Sequence, residues 1–426
     1  MAAWLTFPES RMDPSTVTTA DPRQTEPSGA RLSNRAAFAA VAAIFVCFTA
    51  ASAVPTPLYV VYQEAWGFSA TALTFVFAIY VVGLLGSLLV VGALSDHIGR
   101  RPVLAGAVAL EAVSLVFFLI AGDLAVLSVA RFLQGIATGA AMTTLGACLV
   151  DLNPPHAPGR AGLVSGVAPI GGLAIGAIGC GALVQYAPAP THLVYALLLT
   201  GMAAAAVVVA WMPETSTRRP GARESLIPRV GIPDRIRAQV FAIVPILAAS
   251  WALCGIYLSL GPSVAATVFG IQSHLVGGIV VTLLCATGAF TAYRLRDWPI
   301  EKSLNFAPPP LAVGLVITLI GVEANLPLVA AGGTIVAAVG FGASALGTFG
   351  TLANIALPDE RGELFAVAFV ISYVSYAVPA VIAGYASSTS FGLKSTTMGY
   401  GTAVLALTLI AMAAQRRISR RAATVG

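Results

Sequence analysis

Apolar residues run through this chain in long blocks, and polar residues are confined to the gaps between them. A helix crosses a bilayer with about 20 mostly apolar residues. Runs of that kind fall at 36–60, 70–91, 102–121, 124–149, 161–184 and 191–212. A second set falls at 238–260, 270–291, 307–322, 325–350, 363–385 and 396–414. The pattern predicts an all-α membrane protein of twelve transmembrane helices. Pro55 and Pro57 interrupt the first run, which is compatible with a single span because neighbouring helices can satisfy the carbonyls that proline frees.

The longest polar connector, 213–236, is rich in Pro, Arg and Ser and separates six runs from six. The expected organisation is a cytoplasmic tail over 1–35, a six-helix half over 36–212, a cytoplasmic linker over 213–236, a second half over 237–415 and a tail over 416–426. The first tail is polar, lacks the apolar core of a signal peptide, and reads as disordered. A weak internal repeat supports the division. Leu145-Gly146 precedes Arg160 by the interval at which Leu346-Gly347 precedes Arg361. Pro57 followed by Trp66-Gly67 has its counterpart in Pro262 followed by Phe269-Gly270. Two six-helix pseudo-repeats are the expected architecture.

Composition agrees: 58% of residues are hydrophobic and 10% charged, against roughly a quarter charged in soluble domains. The net charge of +5 would suit nucleic acid only if it formed a continuous basic face. Instead the cations cluster in the gaps. With the amino terminus inside, all of the 23 basic residues except Arg131 and Lys394 fall on one side. The positive-inside rule then places both termini in the cytoplasm and the protein in the cell membrane. The five cysteines lie in apolar runs and the four histidines are scattered, so neither a disulfide framework nor a metal site is expected. No phosphate-binding loop appears, which speaks against an ATP-driven pump. No enzyme activity and no cofactor are expected.

The stretch Gly92-Ala93-Leu94-Ser95-Asp96-His97-Ile98-Gly99-Arg100-Arg101 lies between the second and third runs. Gly99 allows a positive φ, and two arginines stand at the membrane surface. This resembles the signature loop of the major facilitator superfamily, Gly-x-Leu-Ala/Ser-Asp-x-x-Gly-Arg-Arg/Lys. Met212-Pro213-Glu214-Thr215 also looks like the sixth-helix exit common there. The chain is similar to the twelve-helix proton-coupled exporters of drugs and metabolites in that superfamily. The resemblance implies a gating cluster of Gly92, Leu94, Asp96, Gly99, Arg100, Arg101 and the fourth-helix acid Asp151, which locks one conformation.

Arg131-Phe132-Leu133-Gln134-Gly135 in the fourth run resembles the superfamily's fourth-helix pattern. A guanidinium inside a bilayer must face a polar cavity or a partner, or else snorkel. The resemblance assigns Arg131, with Gln134 one turn on, to substrate contact or proton coupling. Glu111 is the acidic residue nearest the middle of a span. It is either a proton carrier or a structural hydrogen-bonding group.

The fifth run carries Gly162, Gly166, Gly171, Gly172, Gly176, Gly179 and Gly181 with Pro169. Small residues three or four apart permit close helix packing. The run partly matches the Gly-Pro-x-x-Gly-Gly motif of antiporters. Cavity-lining candidates are Thr56, Tyr59, Gln63, Trp251, Tyr257, Thr334, Tyr373 and Tyr376. So apolar and aromatic a lining suits amphipathic or hydrophobic solutes better than sugars. The expected function is alternating-access secondary transport, with proton-coupled export of small amphipathic compounds by a monomer. The partners are the small-molecule substrate, protons and the lipid bilayer. Two alternatives stand: a proton symporter taking up an organic anion, and a membrane receptor or scaffold that does not transport.

Overall fold

A computed structural model describes residues 32–157, 159–228, 230–357 and 360–425, with side chains through Arg416. Residues 1–31 of the expected tail, Arg229, and the side chains of Arg417, Arg420 and Arg421 lie outside the described residues. Among the described residues, twelve helices are long and apolar enough to cross a membrane. In the first half these are α1 (Asn34–Trp66), α2 (Ala70–Val91), α3 (Arg100–Leu119), α4 (Leu124–Asp151), α5 (Arg160–Tyr186) and α6 (Leu193–Trp211). The second half holds α7 (Asp234–Ser259), α8 (His274–Arg294), α9 (Ile300–Glu323), α10 (Pro327–Ile355), α11 (Arg361–Ser387) and α12 (Gly392–Arg416).

Local chemistry sets the ends. Ser33, Ser69 and Asp123 each accept a hydrogen bond from the amide three residues on, capping α1, α2 and α4. Arg160 and Arg361, the two arginines related by the sequence repeat, open α5 and α11. Some helices outrun their apolar stretches. α9 begins at Ile300 rather than 307, because its charged first turn with Glu301 and Lys302 is helical although not apolar.

α1 breaks at Val54 and restarts at Pro55. Proline has no amide hydrogen to return to the carbonyl four residues back. Pro55 therefore leaves the Ala51 carbonyl without its usual helical donor, deep in the first half.

Within the first half α2 and α3 pack on α4, and α1 packs on α5. In the second, α9 packs on α10 and α7 on α11. The halves meet through α5 against α8 and α2 against α11. Glycine permits the first contact: a Cβ on Gly181 would stand 2.9 Å from the His274 carbonyl and 3.2 Å from Gly278. Close packing thus explains Gly181, and also Gly172 and Gly176, which abut Thr49 and Ala50 of α1. Gly162, Gly166, Gly171 and Gly179 face open space.

The bundle has a linker end, where α6 exits and α7 begins, and a far end. The halves are tied together at the far end. Thr56 donates to the Leu258 carbonyl at 2.8 Å, and Thr71 donates to Ser388 Oγ at 3.0 Å. The His274 amide donates to Gln185 Oε1 at 3.0 Å. Nearer mid-bundle, Thr282 donates to the Ala174 carbonyl at 3.1 Å. At the linker end the ion pairs among the described residues stay within one half or the other: Arg100 with Asp96 and Asp151, Arg235 with Glu360.

Candidate functional site: a buried relay and a charged turn

The polar centre of the first half is built on the broken α1. Gln134 on α4 donates through Nε2 to the Ala51 carbonyl that Pro55 leaves free, at 3.1 Å. Arg131, one turn earlier on α4, donates through Nη1 to the Ser52 carbonyl at 3.1 Å and to Gln134 Oε1 at 2.6 Å. Gln134 Nε2 also donates to Glu111 Oε1 of α3 at 3.1 Å. Glu111, Gln134 and Arg131 are 0%, 0% and 1% exposed. The guanidinium is therefore wholly internal and does not snorkel. Ser114, one turn past Glu111, donates to the Ala130 carbonyl at 2.8 Å and fixes that face of α3 on α4.

Aromatic rings complete the shell. The Arg131 guanidinium lies 4.3 Å from the ring centre of Tyr80 and 6.0 Å from that of Tyr59. Such a contact contributes about 2 kcal/mol or more when desolvated. Tyr80 donates to Ser52 Oγ at 3.1 Å. Within this cluster three buried polar atoms have no hydrogen-bond partner: Glu111 Oε2, Arg131 Nε and the Tyr59 hydroxyl. Each such atom costs about 1–3 kcal/mol, so the cluster holds unused hydrogen-bonding capacity where a proton or ligand could use it.

Facing this centre, the second half presents an aromatic wall. Trp251 of α7 lies 5.0 Å from Tyr373 and 6.0 Å from Tyr376 of α11, ring centre to ring centre. Phe369 continues it towards the linker end, 6.4 Å from Tyr373. Phe77, one turn before Tyr80, touches Tyr376 across the interface at 4.8 Å. Trp251, Tyr373 and Tyr376 thus come together, and Tyr59 joins Arg131. The other lining candidates sit elsewhere. Thr56 seals the far end; Gln63 donates to the Phe68 carbonyl in the far-end turn after α1; Tyr257 bonds Thr334 at 2.5 Å inside the second half.

The charged turn lies at the linker end. Gly92 closes α2 in helical geometry, Leu94 opens the short helix Leu94–Ile98, and Gly99 takes φ 111°. Arg100 pairs with Asp96 at 2.5 Å and Asp151 at 3.2 Å, and donates to Ser95 Oγ at 2.6 Å. Arg101 turns away, donating to the Val209 and Ala210 carbonyls of α6 at 3.1 and 2.6 Å. The cluster is intact while the far end is closed.

Sequence reasoning missed Glu214. Its carboxylate accepts from the amides of Arg100 and Arg101 at 2.8 and 3.2 Å, capping α3, whose own preceding residue Gly99 has no side chain to do so. A Cβ on Gly99 would come within 2.6 Å of that carboxylate. The available signal was an uncapped helix start together with an unassigned acid in the sixth-helix exit. Thr215 adds a 2.8 Å bond to Asp151. Among the described residues, no group of three or more His, Cys, Asp or Glu side chains is placed to hold a metal ion.

Twelve spanning helices in two halves, closed at one end and enclosing an internal arginine, define a multi-pass helical membrane transporter. Residues 39–379 match the Major Facilitator Superfamily, and the chain belongs to it. Among solved structures it is similar to the human organic anion transporter MFSD10 (TETRAN). The identity is 18% and the TM-score 0.66, over 90% of this chain and 100% of that one. At that identity the likeness speaks for the fold alone.

Proposed function

We propose that this protein is a proton-coupled secondary transporter of the cytoplasmic membrane, exporting small amphipathic compounds by alternating access of its two halves. The linker end faces the cytoplasm, in keeping with the basic residues gathered there. The observation that carries the reading is the relay Glu111–Gln134–Arg131, buried beside the aromatic wall of the other half. A buried carboxyl can carry a proton, whereas an arginine stays charged and can only bind an anion or tune its neighbour. The wall supplies the apolar contact area an amphipathic body needs.

A second reading is favoured by the free Arg131 Nε: uptake of an organic anion together with a proton. A proton on Glu111 removes the nearest negative charge and leaves Arg131 free for an anion. Everted membrane vesicles separate the two readings. With the lumen made acid, export by proton exchange accumulates amphipathic compounds in everted vesicles. Accumulation only in right-side-out vesicles with the acid outside would instead establish uptake. No gradient-dependent movement in either orientation would overturn both.

A further inference from the structure

On the outer face of the first half, α3 and α6 leave an apolar groove of about 520 Å³. Ala105, Ala109 and Ala112 of α3 line it opposite Ala203, Ala206 and Ala210 of α6. Small side chains on both walls keep it open while the two helices remain packed together. It does not lie between the halves: α3 and α6 pack against helices of their own half. The same two helices expose Val113, Val116 and Val207 at 46%, 44% and 50%, so this side of the bundle faces lipid.

The dimensions and charge of the groove indicate its occupant. It runs from Arg101 to Ala112 on α3 and from Leu199 to Ala210 on α6. A helical stretch of that length rises about 16 Å at 1.5 Å per residue. That is close to half of the roughly 30 Å hydrocarbon core, the depth of one leaflet. Trp211, 45% exposed at the end of α6, marks the interface where the groove ends. At that level stand Arg101, Glu214 and Arg218. The Glu214 carboxylate is tied to the amides of Arg100, Arg101 and Ser216, at 2.8, 3.2 and 3.1 Å. Arg101 is held in place through the α6 carbonyls. Two arginines over one committed carboxylate make a cationic mouth on an acyl-sized slot. Basic sites of this kind between membrane helices suit anionic headgroups.

We propose that this groove binds one anionic glycerophospholipid from the leaflet at the linker end, its acyl chain between the alanine rows and its phosphate at Arg101 and Arg218. The site rests on membrane embedding alone, so it stands or falls apart from any reading of the transport cycle.

Native mass spectrometry of the full-length protein in mild detergent tests this after incubation with dioleoyl phosphatidylglycerol or dioleoyl phosphatidylcholine. The expected result is one retained phosphatidylglycerol and about tenfold less phosphatidylcholine. Ala206→Phe fills the slot at an exposed position and lowers phosphatidylglycerol retention about tenfold. Arg218→Ala lowers it about fivefold, the worth of one interfacial cation. Circular dichroism of both variants matches that of the parent. Inorganic phosphate in millimolar excess leaves the lipid bound. Equal retention of the two lipids overturns the proposal, as does full retention by Ala206→Phe. Displacement by free phosphate would show a site for the anion without the chain and equally overturn it.

Discussion

Glu111 and Arg131 carry opposite charges on adjacent helices and are joined through Gln134, whose amide accepts from one and donates to the other. The carboxylate keeps one oxygen, and the guanidinium its Nε, unpartnered. In the proposed cycle, an intervening amide lets the protonation state of Glu111 reach Arg131 without a direct ion pair between the two. A directly bonded pair in a dry interior would be hard to part: removing one partner of a buried pair costs about 3–5 kcal/mol. In the reading proposed here, this looser link lets proton and substrate compete or cooperate within one cycle.

The first prediction concerns the link itself. Gln134→Leu removes both side-chain bonds and the bond to the Ala51 carbonyl while keeping similar bulk. Losing a single hydrogen bond to a charged group costs about 1.5–3 kcal/mol, roughly 10- to 100-fold, so with two lost, coupled transport falls by at least that factor. Normal pH-gradient-driven uptake by this variant in proteoliposomes would show that the amide is merely structural.

Arg131→Lys is expected to be as inactive as Arg131→Ala. Arg131 bonds the Ser52 carbonyl and Gln134 Oε1 through Nη1 while the flat guanidinium lies 4.3 Å from the Tyr80 ring centre. An ammonium point charge does not reproduce that arrangement. Wild-type transport rates with lysine would mean that charge alone suffices at this position.

At the charged turn, Asp96→Asn weakens one of two ion pairs of Arg100, whose side chain is 11% exposed. Asp96 itself is 47% exposed, and a pair open to solvent on one side contributes only about 0–1 kcal/mol, so expression should be unaffected. Transport falls, and cysteines placed between the halves at the linker end label faster. Glu214→Gln, which weakens the cap on α3, should produce the same phenotype. Unchanged transport and labelling in both variants would remove the turn from the gating machinery.

Orientation is open to a direct check. The linker after Trp211 should resist protease added to intact cells and be cut in everted membranes, because the basic residues gather at that end. Cleavage from outside the cell would invert the direction assigned to the cycle.

Much of this architecture is legible in the chain. Hydropathy alone gives twelve spans, since a bilayer core demands long apolar helices whose backbone groups are satisfied internally. The turn at Asp96–Arg101 and the Arg131/Gln134 pair stand out because charge inside or beside an apolar run is costly and therefore conspicuous. Helix faces are another matter. Lipid and helix interfaces are both apolar in a membrane protein, so nothing in its own run separates Gln63, which ends in a turn, from Tyr59 one turn before it, which ends beside Arg131. Glu214 was hidden for a different reason. The helix start it caps lies more than a hundred residues earlier, and an acid in a polar linker carries no penalty to flag it.

The most direct test of the central claim is transport by Glu111→Gln protein in proteoliposomes, measured with and without an imposed pH gradient. Glutamine keeps the shape of the side chain and can still bond Gln134, but it cannot take up and release a proton. If Glu111 is the proton carrier, the variant binds substrate and equilibrates it down its own gradient, and the pH gradient no longer drives accumulation. Full gradient-driven accumulation by Glu111→Gln would contradict the account.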